Sequence, residues 1–412
     1  MLAVIEKGND EKVREILKKW QIDFEVIGEI TNTKRVVFES QNKKIVDLPV
    51  NIIVDDAPEY DREFYLPKKR NKRKFDLSNL TLEKMISNLL NNLNHLEKSW
   101  VYNQYDSTVM GDTVKEPGQA TGIVKLHDSQ KVIGASTDCN PLYIRINPEL
   151  GMIYTVAEAY RNLIASNIKP MAITNNLNFA SPLDPNIMGE IVLSVNGLKI
   201  SASQLDTPIV SGNVSLYNQT NDAPINPTPV IGMVGSNSNI NKIVSNKFQS
   251  EGDIIISIGE NIDPHKSPYF LQDQEIVEDI NLYNELENIN LEDEKITAKI
   301  LMEISDNNLL QSCNDISRGG IFMTLMKMIQ KNYGFNIKAS NDFELFCEYK
   351  SGYVTTIKEN NLKKVFALLD ENKINYEEIG RVVIEEIKIN SKNIDYFDIK
   401  DQYLNNFERI IN

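Results

Sequence analysis

The chain has 412 residues, of which 41% are apolar and 25% are charged, and its formal net charge is -14. This length allows two or three domains, each with its own core. The acidic balance argues against general nucleic-acid binding. No apolar run approaches the roughly 18 residues of a membrane span, and the apolar start of the chain is too short for a secretory signal. Three cysteines without metal-ligand spacing predict reduced thiols in a cytoplasmic protein: Cys139, Cys313 and Cys347.

Residues 1–55 are predicted to form part of a small α+β unit. The pattern predicts a strand at 2–5, an amphipathic helix at 11–20 and strands at 24–28 and 35–38. The chain opens directly on a buried-type strand, which indicates that an upstream part of this domain is missing.

Residues 56–97 are predicted to be a linker. Six of the seven residues at 68–74 are basic, which is compatible with a nucleic-acid patch or with a solvated, flexible segment. The lack of an accompanying aromatic platform favours the flexible segment. A polar amphipathic helix is expected at 80–96, with His95 at its surface.

Residues 98–236 alternate between strands and helices. A short apolar run at 208–210 predicts a buried strand that ends in a polar loop containing Gly212, Asn213 and Ser215. Gly212 has no Cβ, so a phosphate could approach its backbone. Asn213 offers an amide oxygen, which suits Mg²⁺. The other elements expected in this block are strands at 131–136, 170–174 and 229–234 and helices at 152–166 and 187–204.

Two interpretations of these polar loops stay open at this point. Three strands end in oxygen-rich loops, near Asp138, Asn175 and Gly212, and such loops suit Mg²⁺ and phosphate better than zinc. The alternative is that they are ordinary turns whose Asn and Ser side chains bond their own backbone.

Residues 237–412 are predicted to form another α+β domain. The segment 312–320 ends in Gly319-Gly320 and opens an apolar helix. That helix start is either an anion site or a plain N-cap. The sequence contains no Walker loop, dinucleotide fingerprint or Ser/His/Asp pattern.

Four long motifs together resemble one enzyme family. The second half of the large, synthetase subunit of phosphoribosylformylglycinamidine synthase, in the aminoimidazole-ribotide-synthetase-like superfamily, is similar to this chain almost end to end. The motifs are Thr137-Asp-Cys-Asn-Pro, Tyr154-Thr-Val-Ala-Glu-Ala-Tyr-Arg-Asn162, Thr174-Asn-Asn-Leu-Asn-Phe179 and Thr207-Pro-Ile-Val-Ser-Gly-Asn-Val-Ser-Leu-Tyr-Asn218.

The resemblance implies a fold and a reaction. The expected fold is α+β, with an N-type domain at 98–236 and a C-type domain at 237–412. The linker at 56–97 would follow the remnant of a preceding C-type domain at 1–55. The implied reaction converts ATP, formylglycinamide ribotide and glutamine-derived ammonia to formylglycinamidine ribotide, ADP and phosphate in purine biosynthesis, with Mg²⁺ neutralising the phosphates.

The resemblance also assigns roles to individual residues. Asn175 and Gly212 would contact ATP, Asn213 would bind Mg²⁺ and Ser215 would contact the substrate. Asn175 stands where the family usually has Asp. Two further departures are Asn314 in place of a usual His and Gly352 in place of a usual Arg.

The family's catalytic His and acidic Mg²⁺ ligands lie in the first half, so this chain would be incomplete as a ligase. One hypothesis is a split enzyme whose N-terminal half is a separate polypeptide, with a glutaminase subunit and a small bridging subunit as further partners. A second copy of the chain is another candidate partner. The alternative hypothesis is a non-catalytic nucleotide-binding or scaffold subunit, or a decayed fragment, of the same complex; a small-molecule kinase is disfavoured by the long motifs.

Overall fold

The computed structural model describes residues 2–68, 70–221 and 223–412, and the chain divides into two units, Met1–Asp61 and Arg62–Asn412. Met1 of the predicted remnant and Lys69 of the basic run lie outside the described residues. Among those residues, no helix is both long and apolar enough to cross a membrane.

The first unit is small and open. None of its described residues is buried, and apolar side chains such as Leu2 and Trp20 are exposed. The strands predicted at 2–5 and 24–28 do not form, because a strand needs a neighbour for its backbone hydrogen bonds and the sheet of this unit pairs β1 with β2 alone. The elements of this unit are α1 Asp10–Lys19, β1 Arg35–Ser40, β2 Lys43–Pro49 and α2 Val50–Val54.

The segment that follows is attached to the second unit at Arg70, while residues 71–74 of its basic run are exposed. The backbone N–H of Arg70 donates to Glu285 at 2.7 Å, and its guanidinium donates to the Ile146 carbonyl at 3.1 Å. Two short helices are present, α3 Leu82–Leu90 and α4 Ser99–Tyr102. Five apolar side chains of α3 recur at helical spacing and are buried in the core of the second unit: Leu82, Met85, Ile86, Leu89 and Leu90.

The next block forms a six-stranded sheet in the order β3-β4-β5-β10-β6-β7. The strands β6 and β7 are parallel and α7 connects them, whereas β5 and β6 both pair antiparallel with β10. The elements are β3 Thr113–Lys115, β4 Gly122–Lys125, β5 Val132–Asp138, α5 Pro141–Ile146, α6 Pro148–Ala165, β6 Lys169–Asn178, α7 Pro185–Gln204, β7 Ile209–Ser215, β8 Gln219–Thr220, β9 Ala223–Pro224 and β10 Val230–Asn237.

The two faces of this sheet differ. One face contributes buried residues such as Ile173 and Met233 to the core. Apolar residues of the other face remain exposed, among them Val124, Met171 and Val234. The prediction of a buried strand at 208–210 is wrong: β7 is the edge strand and its residues 209–214 are all exposed.

The C-terminal block forms a seven-stranded sheet in the order β12-β14-β11-β15-β13-β16-β17. Together with the preceding block it confirms the α+β class. The elements are β11 Ile254–Asn261, α8 Pro268–Asp273, α9 Leu291–Asp306, β12 Leu310–Asp315, α10 Gly320–Met328, β13 Tyr333–Ile337, β14 Tyr349–Ile357, α11 Leu362–Glu371, β15 Tyr376–Ile384, β16 Ile387–Ile389, β17 Lys392–Ile394 and α12 Tyr396–Ile411.

The helix α6 lies at the centre of the second unit. It contacts strands β5 and β10 of the six-stranded sheet and strands β12 and β14 of the seven-stranded sheet. Residues on almost every side of the helix are therefore buried, as expected for a helix enclosed by other elements. Its few polar residues must find partners inside the protein.

Truncation of α3 tests whether the segment before the first sheet is part of the core. We expect Leu89→Ala to lower the free energy of unfolding by about 2–5 kcal/mol, because it removes a fully buried side chain and leaves a cavity. Lys84→Ala, on the exposed side of the same helix, should change it by less than about 0.5 kcal/mol. Urea unfolding of both variants measures the difference, and equal midpoints would contradict the burial of this helix.

Candidate functional site

The structure brings the four predicted site residues onto one pair of strands. In the parallel ladder between β6 and β7, Asn175 lies opposite Gly212, Asn176 opposite Asn213 and Asn178 opposite Ser215. The sequence predicted a loop at Gly212–Ser215, but these residues continue the edge strand because β6 supplies hydrogen-bond partners for their backbone.

The strand pair divides these residues between its two faces. Side chains alternate along a strand, so Asn213 and Ser215 share one face and Asn175 lies on the other. The Asn213 amide donates to Asn176 Oδ1 at 2.9 Å, and the Ser215 hydroxyl donates to Asn218 Oδ1 at 3.1 Å. One ligand could reach both faces only around the free edge of β7.

Gly212 lies directly against the Asn175 side chain. A Cβ at this position would lie 2.7 Å from Asn175 Oδ1, a distance at which one group must move. The Asn175 amide therefore covers the backbone of Gly212 on that face. A phosphate could therefore approach the Gly212 backbone only from the free edge of β7 or from the face opposite Asn175.

A cavity of about 410 Å³ lies elsewhere in the second unit and is lined by several charged side chains. Four carboxylates line it: Glu97 from the segment before α4, Asp138 from the end of β5, Glu158 from α6 and Asp315 from the end of β12. Further lining groups are three lysines and five amides: Lys98, Lys247, Lys327, Asn94, Gln119, Asn162, Asn246 and Asn314.

The carboxylates of this cavity repel one another. Burial, followed by repulsion from Glu158 and Asp315, raises the pKa of Asp138 well above its usual range. Burial and repulsion from Asp315 raise the pKa of Glu158 to about 7. The Asn162 amide donates to Asp138 Oδ2 at 2.9 Å, but this neutral donor adds no positive charge.

One carboxylate oxygen in the cavity lacks a partner. Asp315 Oδ2 is buried and accepts no hydrogen bond, which is costly for a charged group. Within the described residues, no group of three His, Cys, Asp or Glu side chains could by itself hold a metal ion. A cation here would therefore share ligands with a bound phosphate, as Mg²⁺ commonly does, and the oxygen donors present fit that cation.

His95 borders this cavity, and the prediction that it lies at the surface is wrong. Its ring is buried and its Nε2 lies 2.7 Å from Asp273 Oδ2. Burial lowers the pKa of His95. Burial alone would raise the pKa of Asp273, but hydrogen bonds from His95 and Arg318 hold it below its usual value. A neutral ring therefore donates through Nε2 to an ionised carboxylate, which leaves Nδ1 as an acceptor.

The two C-terminal departures from the family pattern also have defined places. Asn314 is buried in the cavity wall and accepts from the Asn246 amide at 3.4 Å. Gly352 lies in β14, where a Cβ would approach Tyr349 Cβ to 2.6 Å. A longer side chain at Gly352 would therefore require Tyr349 to move.

Sequence reasoning missed most of this cavity. Asp138 was noticed as a polar strand end, but Glu158, Asn162 and Asp315 received no role. The signal that could have found two of them is the spacing of Glu158 and Asn162, four residues apart on one face of a helix.

Comparison with known proteins identifies the two sheet-containing blocks. Residues 118–236 match the family described as AIR synthase related protein, N-terminal domain, and residues 250–389 match its C-terminal domain. The chain is 36% identical over 401 residues to the phosphoribosylformylglycinamidine synthase subunit PurL of Pelagibacter ubique, covering 95% of this chain and 54% of the relative. The chain thus spans about half the length of the curated relatives it matches.

Solved structures of PurL from Thermotoga maritima share the fold. The complex with FGAR has a TM-score of 0.61 at 19% identity, covering 92% of this chain and 52% of that one. The complex with ATP has a TM-score of 0.59 at 18% identity, covering 92% and 53%. PurLQS from the same organism has a TM-score of 0.61 at 18% identity, covering 92% and 54%.

The acidic cavity predicts a pH dependence of stability. The pKa of Glu158 is raised to about 7 in the folded protein, so the folded state holds this proton more tightly than the unfolded chain. The resulting stabilisation is complete below the unfolded pKa and is lost as the pH rises. We expect the Tm to fall between about pH 5 and about pH 8, and to fall less in Glu158→Gln.

Glu303→Gln is the matched control, because Glu303 is an exposed glutamate on a neighbouring helix. It should keep the wild-type profile. A Glu158→Gln profile that superimposes on the wild type would show that this carboxylate is not protonated preferentially in the folded state.

Proposed function

The chain belongs to the AIR synthase related proteins, and from this premise we propose that it is the C-terminal part of a phosphoribosylformylglycinamidine synthase. The reaction would convert ATP, formylglycinamide ribotide and glutamine-derived ammonia to formylglycinamidine ribotide, ADP and phosphate. Identity of 36% over 95% of the chain supports this assignment. In this proposal a separate polypeptide supplies the N-terminal half.

The observation that carries this proposal is the exposure of the β6–β7 pair. Asn213 is exposed and Ser215 is half-buried, so both can contact a ligand held by another polypeptide. In this role Asn213 would bind Mg²⁺, Ser215 would contact the substrate, and Asn175 and Gly212 would contact ATP. Asn175 offers a neutral amide where a carboxylate is usual, so its contact would be a hydrogen bond without charge attraction.

The exposed face of the six-stranded sheet is the proposed contact surface for the N-terminal half. Val124, Met171 and Val234 are exposed there, and contiguous exposed apolar surface favours a protein interface. The free edge of β7 lies beside this face. A partner on this surface would therefore stand next to Asn213 and Ser215.

The acidic cavity would hold a Mg²⁺-bound nucleotide. Asp138, Glu158 and Asp315 would face the cation, whereas Lys98 and Lys327 would face phosphate oxygens. Bound Mg²⁺ would neutralise phosphate charge and relieve the carboxylate repulsion. The predicted contacts to ATP, Mg²⁺ and the substrate lie on β6 and β7. A nucleotide in this cavity would therefore stabilise the fold or regulate the enzyme and would not take part in the reaction.

A glutaminase subunit and a small bridging subunit would complete the complex in the cytoplasm, and a second copy of this chain is a further candidate for the open sheet face. The PurLQS structure supports such an assembly for a protein with the same fold. The second candidate function is a non-catalytic nucleotide-binding or scaffold subunit, or a decayed fragment. It is favoured by Asn175, Asn314 and Gly352, which differ from the family pattern.

Reconstitution distinguishes the two candidates. We expect this chain, mixed with the N-terminal half of a synthetase, ATP, Mg²⁺, formylglycinamide ribotide and ammonia, to release phosphate. Ser215→Ala and Asn213→Ala should each lower kcat/KM by at least about tenfold, the loss of about 1.4 kcal/mol of transition-state binding.

Ser211→Ala is the matched control, since Ser211 is exposed on the same strand and has no proposed role. It should retain activity within about twofold. Absence of turnover in the mixture, although both polypeptides form a stable complex, would favour the non-catalytic subunit.

Nucleotide binding tests the acidic cavity separately. We expect ADP to bind in the presence of Mg²⁺ and Asp315→Asn to weaken this binding by about tenfold or more, because the substitution removes the unpartnered carboxylate oxygen. Asp128→Asn, at an exposed loop aspartate, should bind as the wild type does. Isothermal titration calorimetry gives both affinities, and equal Mg²⁺-dependent affinities for the two variants would contradict the assignment.

A further inference from the structure

We propose that a second cavity, which adjoins the first at Asn94, Glu158 and Ser317, binds a small oxyanion, either a phosphate or a carboxylate, between Arg161 and Arg318. The cavity measures about 200 Å³ and is lined by both arginines, Cys139 and several tyrosines. None of the four residues predicted to bind ATP, Mg²⁺ or the substrate lines it. The inference does not depend on the proposed function, and it adds a site that the synthase assignment leaves without a role.

The first observation is an unsatisfied donor on Arg161. This side chain is only 2% exposed. Its Nη1 donates to Glu294 Oε2 at 3.0 Å, but its Nε is buried and has no hydrogen-bond partner. A buried donor of a charged group without an acceptor is unfavourable. An acceptor oxygen that reached this Nε would remove that penalty.

The second observation is another guanidinium on the same cavity wall. Arg318 is fixed from behind by hydrogen bonds to Asp273 and lies over the Tyr269 ring, 4.4 Å from its centroid. About a quarter of its side chain remains exposed. Two fixed guanidinium groups with free donor edges suit a planar carboxylate or a phosphate.

The acidic residue most able to compete for these arginines is already occupied. The Glu348 carboxylate lines the cavity, but it accepts from the Tyr269 backbone N–H at 2.8 Å and from the Tyr143 hydroxyl at 3.0 Å. It also accepts from the Ser267 hydroxyl and the Phe270 backbone N–H at 3.3 Å. Four donors occupy this carboxylate, so its oxygens are not available as hydrogen-bond acceptors for the two arginines.

The start of α10 adds a favourable dipole. Ser317 and Arg318 line the cavity and immediately precede this nine-residue helix, whose N-cap Gly319 adopts a positive φ of 84° and offers no side-chain cap. Free N–H groups at a helix start attract anions. By itself this feature equally fits a plain helix cap, and the unpartnered Arg161 Nε is what favours an anion.

The cavity volume limits the ligand. Sites for drug-sized molecules measure about 300–1,000 Å³, so a cavity of about 200 Å³ is too small for a nucleotide. Inorganic phosphate or a carboxylate of amino-acid size would fit. Glu158 borders this cavity and the first one, so the two cavities are neighbours with separate arginine and lysine walls.

A cysteine of the cavity provides a built-in probe. Of the three cysteines, all of them described, Cys139 is exposed whereas Cys313 and Cys347 are buried. Alkylation by neutral iodoacetamide, followed by mass spectrometry at a fixed alkaline pH, therefore reports on this cavity. Inorganic phosphate at about ten times its dissociation constant should slow labelling about tenfold by mass action, whereas chloride at equal ionic strength should not.

Variants test whether Arg161 and Arg318 are responsible for protecting Cys139 from alkylation. Arg161→Lys keeps the charge beside Glu294 but removes the Nε–H, so it should abolish protection by the anion. Arg145→Lys, which lines neither cavity, should leave protection unchanged. If Arg161→Lys does not fold, Arg318→Lys serves the same purpose and should also abolish protection.

Two further comparisons identify the anion and show which of the two cavities it occupies. Protection by phosphate but not by acetate assigns a phosphate site, and the converse assigns a carboxylate site; either result supports the proposal. Lys327→Gln alters only the first cavity and should preserve protection. The proposal is overturned if neither anion slows labelling, if protection persists in both arginine variants, or if it is lost in Lys327→Gln alone.

Discussion

The enclosure of α6 between two sheets is the constraint on which the rest of the second unit depends. A helix buried on nearly all sides can carry polar groups only where each of them finds a partner or faces a cavity. Arg161 pairs with Glu294, and Asn162 donates to Asp138. What these contacts leave unsatisfied, the Glu158 charge and the Arg161 Nε, lies at the two cavities.

The two cavities differ in charge although they adjoin at Glu158 of this helix, which lines both. One cavity gathers carboxylates that repel one another, so a bound cation would lower its energy. The other is lined by two guanidinium groups that are each paired with a carboxylate, Arg161 with Glu294 and Arg318 with Asp273. The helix therefore places two uncompensated groups about one turn apart, the Glu158 carboxyl and the Arg161 Nε. Such an arrangement costs stability unless ligands or partners compensate it.

The proposed catalytic contacts belong to a different part of the molecule. They lie on an exposed edge strand whose open side has no neighbour among the described residues. An exposed edge with apolar neighbours is unfavourable in isolation. The proposed second polypeptide would cover this edge, whereas the acidic cavity lies elsewhere in the second unit.

Periodicity predicted many helices and strands of the two sheet-containing blocks because their apolar residues recur at the spacing of the elements they form. It failed where pairing decides the structure. The run at 208–210 is apolar enough for a buried strand, yet its place at the sheet edge exposes it. The segments at 2–5 and 24–28 have strand-like composition but no neighbouring strand to receive their hydrogen bonds. His95 follows a polar stretch, yet Asp273, 178 residues later in the chain, holds it in the interior.

By itself, the sequence determined the α+β class, the family resemblance and the residue types at Asn175, Gly212, Asn213 and Ser215, since these depend on local pattern and on continuous motifs. Only the tertiary structure decided that these residues divide between two faces of an edge strand. It also decided that Asp138, Glu158 and Asp315 meet in one cavity and that Arg161 and Arg318 meet in another. The physical reason is that burial and charge proximity depend on contacts between residues far apart in the chain, which no local pattern encodes.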